Sequence, residues 1–248
     1  ILADAINDCK ALAEKLDAPV ACGYQHNDSF PGSHPLAVGP LGYNGSKAGM
    51  EIISKADVVL ALGTRLNPFS TLPGYGIDYW PKQASIIQVD INSDRIGLAK
   101  KVSVGICGDA KLVAQQILLQ LSSDAGDKGR EDRKAFIHKT KSAWLQTLTS
   151  LDHEEDDPGT TWNEDSRKRD PDRMSPRMAW RAIQAGLPKD VIISSDIGNN
   201  CAIGNAYPTF EKGRKYLAPG LFGPCGYGFP SILGAKIGCP DTPVVDRK

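Results

Sequence analysis

No stretch of this 248-residue sequence approaches the roughly 20 consecutive apolar residues that a bilayer span needs, and its start lacks the basic stretch and apolar core of a secretory leader. Charge of one sign is lacking too. Lys+Arg and Asp+Glu number 29 each, for a formal net charge of zero, so no basic excess exists to hold a phosphate backbone or an anionic membrane surface. Nucleic acid and membrane are therefore not expected as partners. Paired cysteines are missing: Cys9, Cys22, Cys107, Cys201, Cys225 and Cys239 form no CxxC and no Cys/His cluster at zinc spacing. They read as reduced thiols of a cytoplasmic protein. No internal repeat or low-complexity tract interrupts the chain. It opens at Ile1 already inside the helical pattern ILADAINDCKALAEKL and closes on VVDRK, where an apolar strand has barely begun; we expect a piece of a longer protein.

What is present alternates helix with strand. Leu2, Ile6, Cys9, Leu12, Ala13 and Leu16 recur at helical spacing, and PVACGY (19–24) follows as a short buried strand. A glycine-rich turn leads into a helix over 42–56, and DVVLALGT (57–64), SIIQVDI (85–91) and VSVGICGD (102–109) are unbroken apolar runs. Such runs suit strands of a parallel sheet covered on both faces. Asp109 is placed to cap the helix DAKLVAQQILLQL. Residues 1–122 thus read as one doubly wound, Rossmann-like α/β domain. Over 123–174 charge rises and apolar residues thin out around the helical stretch FIHKTKSAWLQTLTSL, which predicts a charged linker carrying a helix. A second α/β unit, 175–248, opens at Ser175-Pro176, a cap followed by a proline suited to the first helical position. It continues through the strand DVIISSDIG (190–198), the strand-like KYLAP and an apolar helix from about Gly226 that calls for burial.

Two stretches of the second unit could carry chemistry. DIGNN (196–200) stands where an apolar strand gives way to a helix, the place where open α/β sheets collect ligands and where unpaired amides suit an anion. The commoner use of Asp196, Asn199 and Asn200 is simply to cap and turn the chain. GLFGPCGYGFP (220–230) holds four glycines and two prolines in eleven residues. A strand-to-helix turn needs only one glycine; Gly223, Gly226 and Gly228 would let the backbone come against something flat. Tight helix-on-sheet packing with a buried Cys225 is the alternative. His26 and His34 fall in the loop GYQHNDSFPGSHP, which could face a site between domains, although loop histidines that only hydrogen-bond a turn are commoner.

A strand ending in D-x-G-N and, some twenty to thirty residues on, G-x-x-G-x-G-x-P-x-x-x-G-A-K together resemble the opening of the pyrophosphate-binding domain of thiamine diphosphate enzymes of the acetolactate synthase and pyruvate oxidase group. ADVVLALGTRL, SIIQVDINSDRIG and the GDAKLVAQQIL helix are similar to that group's middle domain. More narrowly, GYQHNDSFPGSHPL, GPLGYNGSKAG, LNPFSTLPGYGIDYWP, MSPRMAWRAIQ and SSDIGNNCAIGNAYP resemble the branch that takes sulfoacetaldehyde and phosphate to acetyl phosphate and sulfite.

The resemblance implies thiamine diphosphate and Mg2+ as cofactors of the full-length protein, small-molecule substrates and a homo-oligomer, dimer or tetramer. It assigns cofactor contacts to Asp196, Gly198, Asn199, Asn200, Gly223, Cys225 and Gly226. Gly223 would offer its carbonyl to the cofactor's pyrimidine amino group, and Cys225 takes a position that usually carries Met or another apolar residue. Arg65 and Lys47 are candidates for an anionic pocket. It further implies that the activating glutamate lies upstream of Ile1 and that the Gly-Asp-Gly metal site lies beyond Lys248. No catalytic residue and no metal ligand are then expected in this stretch, which alone should be inactive. An acetohydroxyacid synthase-like carboligase and a non-catalytic nucleotide- or FAD-binding module are the rival readings. NAD-dependent deacylases share a likeness to ADVVLALGTRL but carry a cysteine-held zinc with no counterpart here.

Overall fold

The structure, a computed structural model, describes residues 1–125, 128–151, 174–220 and 222–247. The polar run 152–173, which makes up much of the expected linker and contains His153, lies outside the described residues.

Helix α1 (Ile6–Leu16) buries Leu12 and Ala13 and stops at Asp17, whose φ of 47° turns the chain out of the helix. Strands β1 (Val20–Cys22) and β2 (Ala37–Pro40) form one parallel ladder. Helix α2 (Lys47–Ile53) starts at Ser46, whose Oγ accepts from the Gly49 amide at 3.1 Å. Strands β3 (Val58–Leu62), β4 (Ser85–Asp90) and β5 (Val104–Cys107) form a second parallel ladder in that order. The first unit is thus mixed α/β with parallel strands, as expected, but its strands are hydrogen-bonded as two ladders. The short helix α3 (Pro68–Thr71) follows β3, capped by Asn67. Helix α4 (Ala110–Gln120) begins under the Asp109 carboxylate, which accepts from the Lys111 and Leu112 amides at 2.9 and 3.2 Å.

Helix α5 (Arg130–Leu151) packs on this unit. Ile137 is buried with Ala13, Cys22, Phe30, Leu36, Val38 and Ile52. The helix's charged start is engaged: Arg133 donates to the Leu16 and Asp17 carbonyls at 3.0 Å each, and Arg130 pairs with the Asp17 carboxylate at 2.7 Å. These cations meet the carbonyl end of α1, where a helix dipole favours positive charge.

In the second unit α6 (Pro176–Gly186) is capped by Ser175, whose Oγ accepts from the Met178 amide at 3.1 Å. Strands β6 (Ile192–Ser195), β7 (Tyr216–Leu217) and β8 (Val244–Arg247) form a parallel sheet in the order β7–β6–β8. Helix α7 (Asn199–Ala206) connects β6 to β7, and α8 (Gly228–Gly238) connects β7 to β8. Trp180, Val191, Ile193, Phe210 and Tyr216 make the core. The chain leaves β6 toward β7 and then returns across it to β8, so the winding reverses at β6. Loops leaving the carboxyl ends of strands beside such a reversal form a crevice. The helix α8, expected to be buried, instead leaves Phe229, Leu233 and Ile237 at 55%, 48% and 82% exposure: an apolar run fixes the wish for cover, not its presence in this stretch.

Candidate functional site

At the carboxyl end of β6 the chain turns through Asp196, Ile197 and Gly198 into α7. Gly198 has φ 98° and ψ −157°, a region open in practice only to glycine. No atom lies within 4 Å of where a Cβ would stand, so the glycine serves the backbone shape and not packing. No side chain caps the first turn of α7. The first turn closes on the main chain, the Cys201 amide donating to the Gly198 carbonyl at 3.0 Å, and a helix start of this kind carries the positive end of the helix dipole. Asn199 is exposed and Asn200 half-buried at this end.

The second glycine-rich stretch lies beside the first, and one carboxylate joins them. Asp196 accepts from the Ile197 amide at 2.8 Å, from the Gly226 amide at 3.0 Å through both oxygens, and from the Gly228 amide at 3.3 Å. These amide bonds, Ile197's first, hold its carboxyl below the ordinary carboxylate range. Gly220, Gly223 and Gly226 all have positive φ, at 67°, 62° and 88°. A methyl group on Gly223 would stand 3.2 Å from Ile197 Cδ1, and one on Gly228 would run into the Asp246 carboxylate. Below the loop, Ser194 Oγ lies 2.6 Å from Ser231 Oγ and donates to the Gly228 carbonyl at 3.1 Å. The loop is thus flexible in composition and fixed in place.

Of the residues singled out in the sequence, Asp196, Gly198, Asn199 and Asn200 fall at the β6–α7 turn, and Gly223, Cys225 and Gly226 in the loop beside it. Asp196 joins the two sets directly through its bond from the Gly226 amide. The Asp196 carboxylate is occupied by main-chain amides, so it acts as a clamp on the loop. Cys225 is exposed. Away from the site, Lys47 lies 3.8 Å from Glu51, and Arg65 is exposed. His34 lies 3.1 Å from Glu14 and accepts from the Leu36 amide, a turn-holding role. Burial, more than the opposing Asp28 charge, lowers the pKa of His26. Sequence reasoning missed Ser194, Ser231 and the packing duty of Gly228; a serine inside an otherwise apolar strand run is the signal that could have found the first.

A cavity of about 400 Å³ lies toward the other end of α7, where Asn27, Tyr75, Trp144, Ile203 and Tyr207 line it; none of the loop's residues do. Among the described residues no group of three His, Cys, Asp or Glu could hold a metal ion, and no helix is long and apolar enough to cross a membrane. What the turn and loop offer is a helix start with two asparagines beside a glycine-rich backbone whose shape is set by positive φ at Gly223 and Gly226. That donor set fits a doubly charged anion joined to a flat ring.

A family model for the thiamine pyrophosphate enzyme central domain matches residues 1–117, and one for the thiamine pyrophosphate enzyme C-terminal TPP binding domain matches residues 196–247. The chain is 79% identical over 245 residues, 99% of its length, to a probable sulfoacetaldehyde acetyltransferase of Rhizobium meliloti (strain 1021), covering 42% of that relative. It is 78% identical to a sulfoacetaldehyde acetyltransferase of Roseovarius nubinhibens, covering 41% of it. An acetolactate synthase large subunit of Corynebacterium glutamicum is 29% identical over 98% of the chain and 36% of the relative. The chain spans about two fifths of the length of these two sulfoacetaldehyde acetyltransferases.

Proposed function

The chain belongs to the thiamine pyrophosphate enzymes, and from that premise we propose that it is the part of a sulfoacetaldehyde acetyltransferase that holds the coenzyme's diphosphate and supports its ring. The protein would convert sulfoacetaldehyde and phosphate into acetyl phosphate and sulfite. Identities of 78–79% to proteins so named, against 29% to the acetolactate synthase, favour this reaction over a pyruvate carboligation. The observation that supports the reading is the clamp: one carboxylate, Asp196, draws the amides of Gly226 and Gly228 to the start of α7, so that the glycine-rich loop lies beside the turn we assign to the diphosphate.

Thiamine diphosphate, when bound, supplies the carbanion-type nucleophile and electron sink that the reaction needs. The chain's own residues bind and orient. The start of α7 and the side chains of Asn199 and Asn200 would hold the diphosphate, where the helix dipole adds to their effect. Gly223 would offer its carbonyl to the pyrimidine amino group, an approach that a side chain would block. Cys225 and Gly226 would contact the ring, and Gly198 and Asp196 fix the two turns that carry these groups. No side chain here is given a proton-transfer role. Mg2+ belongs to the reading as the diphosphate's counter-ion, but the described residues hold no cluster to bind it, so none is named its ligand. The same reading makes the protein a cytoplasmic homo-oligomer, without nucleic-acid or membrane partners, working on sulfonates of the kind released in taurine breakdown.

Thiol labelling of the intact protein tests the placement without relying on turnover. Cys107, Cys225 and Cys239 are exposed and should alkylate readily, whereas burial pushes the Cys22 thiol up to about 11 and should leave it unlabelled at neutral pH. Saturating thiamine diphosphate with Mg2+ should slow alkylation of Cys225 and leave Cys107 and Cys239 unchanged. Equal labelling of Cys225 with and without coenzyme would place the coenzyme elsewhere. Failure of the intact protein to form acetyl phosphate from sulfoacetaldehyde and phosphate would remove the substrate assignment.

A further inference from the structure

Helix α7 has only eight residues and no side-chain cap at its start. A helix that short has little stability of its own, so its direction must be set by what grips it. The grip lies at its far end. Asn205 is fully buried and uses both ends of its amide: Oδ1 accepts from the Gln25 amide at 2.7 Å and Nδ2 donates to the Tyr43 carbonyl at 2.8 Å. Its main-chain oxygen accepts from Asn27 Nδ2 at 2.8 Å, and the same Nδ2 also donates to the Pro208 carbonyl at 3.2 Å. Gln25, Asn27 and Tyr43 all belong to the first unit, on two separate segments. Three bonds to two segments fix rotation as well as position.

Residue choice argues the same way. Asparagine is a poor helix former, and burying its amide costs free energy unless both ends are paired. Neither helix formation nor apolar packing explains it at this place; the joint does. On the opposite side Gln25 takes φ 63°, a left-handed conformation that a side-chain-bearing residue holds only when its surroundings impose it. Gln25 Nε2 also donates to Cys201 Sγ, one turn further back along α7. Both turns of the helix therefore rest on the same loop.

We propose that Asn205, with Asn27 opposite, is a positioning residue of the coenzyme site: the joint between the two units aims the leading end of α7 at the diphosphate. The inference rests on the function proposed above. From Asn205 to Asn199 the helix rises about 9 Å. A tilt of about 10° at the joint then moves the leading amides by about 1.5 Å, beyond what a hydrogen bond tolerates. The first unit thereby acts on coenzyme affinity without touching the coenzyme.

The test uses the intact protein as wild type, Asn205→Ala and Asn27→Ala, at a temperature where circular dichroism shows all three folded. Asn27→Ala guards against a fold lost by emptying the buried Asn205 position. Amide hydrogen exchange across 199–204 without coenzyme should be faster in both variants, and thiamine diphosphate should bind about tenfold more weakly. A role in stability alone would lower the thermal midpoint and leave the dissociation constant unchanged; that result overturns the inference, as does unaltered exchange in α7. Should the wild type not bind thiamine diphosphate, the proposed function fails separately. The joint is then judged on inorganic pyrophosphate: weaker binding in both variants supports it, and equal or absent binding overturns it.

Discussion

Removing the Asp28 carboxylate should loosen the second joint between the units, and its size can be worked from the geometry. Asp28 is 2% exposed, and its Oδ2 accepts from the amides of Lys215 and Tyr216 at 2.9 and 3.2 Å. A hydrogen bond to a charged acceptor contributes about 1.5–3 kcal/mol, and a buried donor left without its acceptor costs about 1–3 kcal/mol. Asp28→Ala leaves both amides without their acceptor, so we expect a loss of about 3–5 kcal/mol, a large part of the roughly 5–15 kcal/mol that holds a domain folded. Asp28→Asn keeps an oxygen for the two amides and gives up only the charge; about 1–2 kcal/mol is expected. Urea denaturation measures both. With a slope of about 1–3 kcal/mol/M the alanine variant's midpoint should fall by at least about 1 M. Because Lys215 and Tyr216 open the segment that runs into Gly220, coenzyme binding should weaken as well. A midpoint for Asp28→Ala within about 0.2 M of wild type would refute the reasoning, since it would mean that those amides find equivalent partners without the carboxylate.

Gly226→Ala isolates backbone strain, since φ is 88° and no atom lies within 4 Å of the added Cβ; a loss of about 1–2 kcal/mol is expected, and a denaturation midpoint equal to wild type would show that the loop does not need the left-handed turn. The Asp196 clamp predicts a pH dependence. Its carboxyl is held below the ordinary range by the Ile197, Gly228, Gly226 and Tyr227 amides, so the clamp's contribution is complete above the unfolded carboxylate value of about 3.9 and is lost as pH falls through the lower folded value. The Gly226 amide resonance should therefore titrate with a midpoint below about 3.9, and a midpoint at or above that value would mean the carboxylate does not hold the loop.

The strands were legible as unbroken apolar runs, and β3, β4, β5 and β6 fall inside the runs read from the sequence; the cover on both faces that such runs suggest is present on β6 but not on β5, where Val104 is 49% exposed. Capping at Asp109 and Ser175 was legible for a local reason, a short polar side chain placed just before a periodic stretch. β2 was not, since AVGP is four residues long and ends on proline, which reads as loop. The start of α5 was hidden by its charge. Arg130 and Arg133 look like a solvated surface until Asp17 and the carbonyl of Leu16, more than a hundred residues earlier, are brought beside them. The site divides along the same line. Glycine clusters are visible in a string of letters because few other positions tolerate them; Asn205 is not, because an asparagine inside a short helix has the same spelling whether it faces water or anchors a domain.

The eleven-residue stretch from Gly220 to Pro230 poses a physical problem, since chain freedom of that kind costs entropy on folding and a freely moving loop could not preorganise a site. The structure resolves it by separating shape from restraint. Positive φ at Gly220, Gly223 and Gly226 gives the backbone its shape, and the restraint comes from outside the loop, through Asp196 above and Ser194 with Ser231 below. A carboxylate accepting main-chain amides is well suited to this, because it fixes the peptide planes themselves. The position after β6 thus performs two tasks with one residue: it ends the strand, and it sets the distance between the start of α7 and the glycine-rich loop. An anionic coenzyme with a flat ring needs both held at once, and neither stretch alone supplies that.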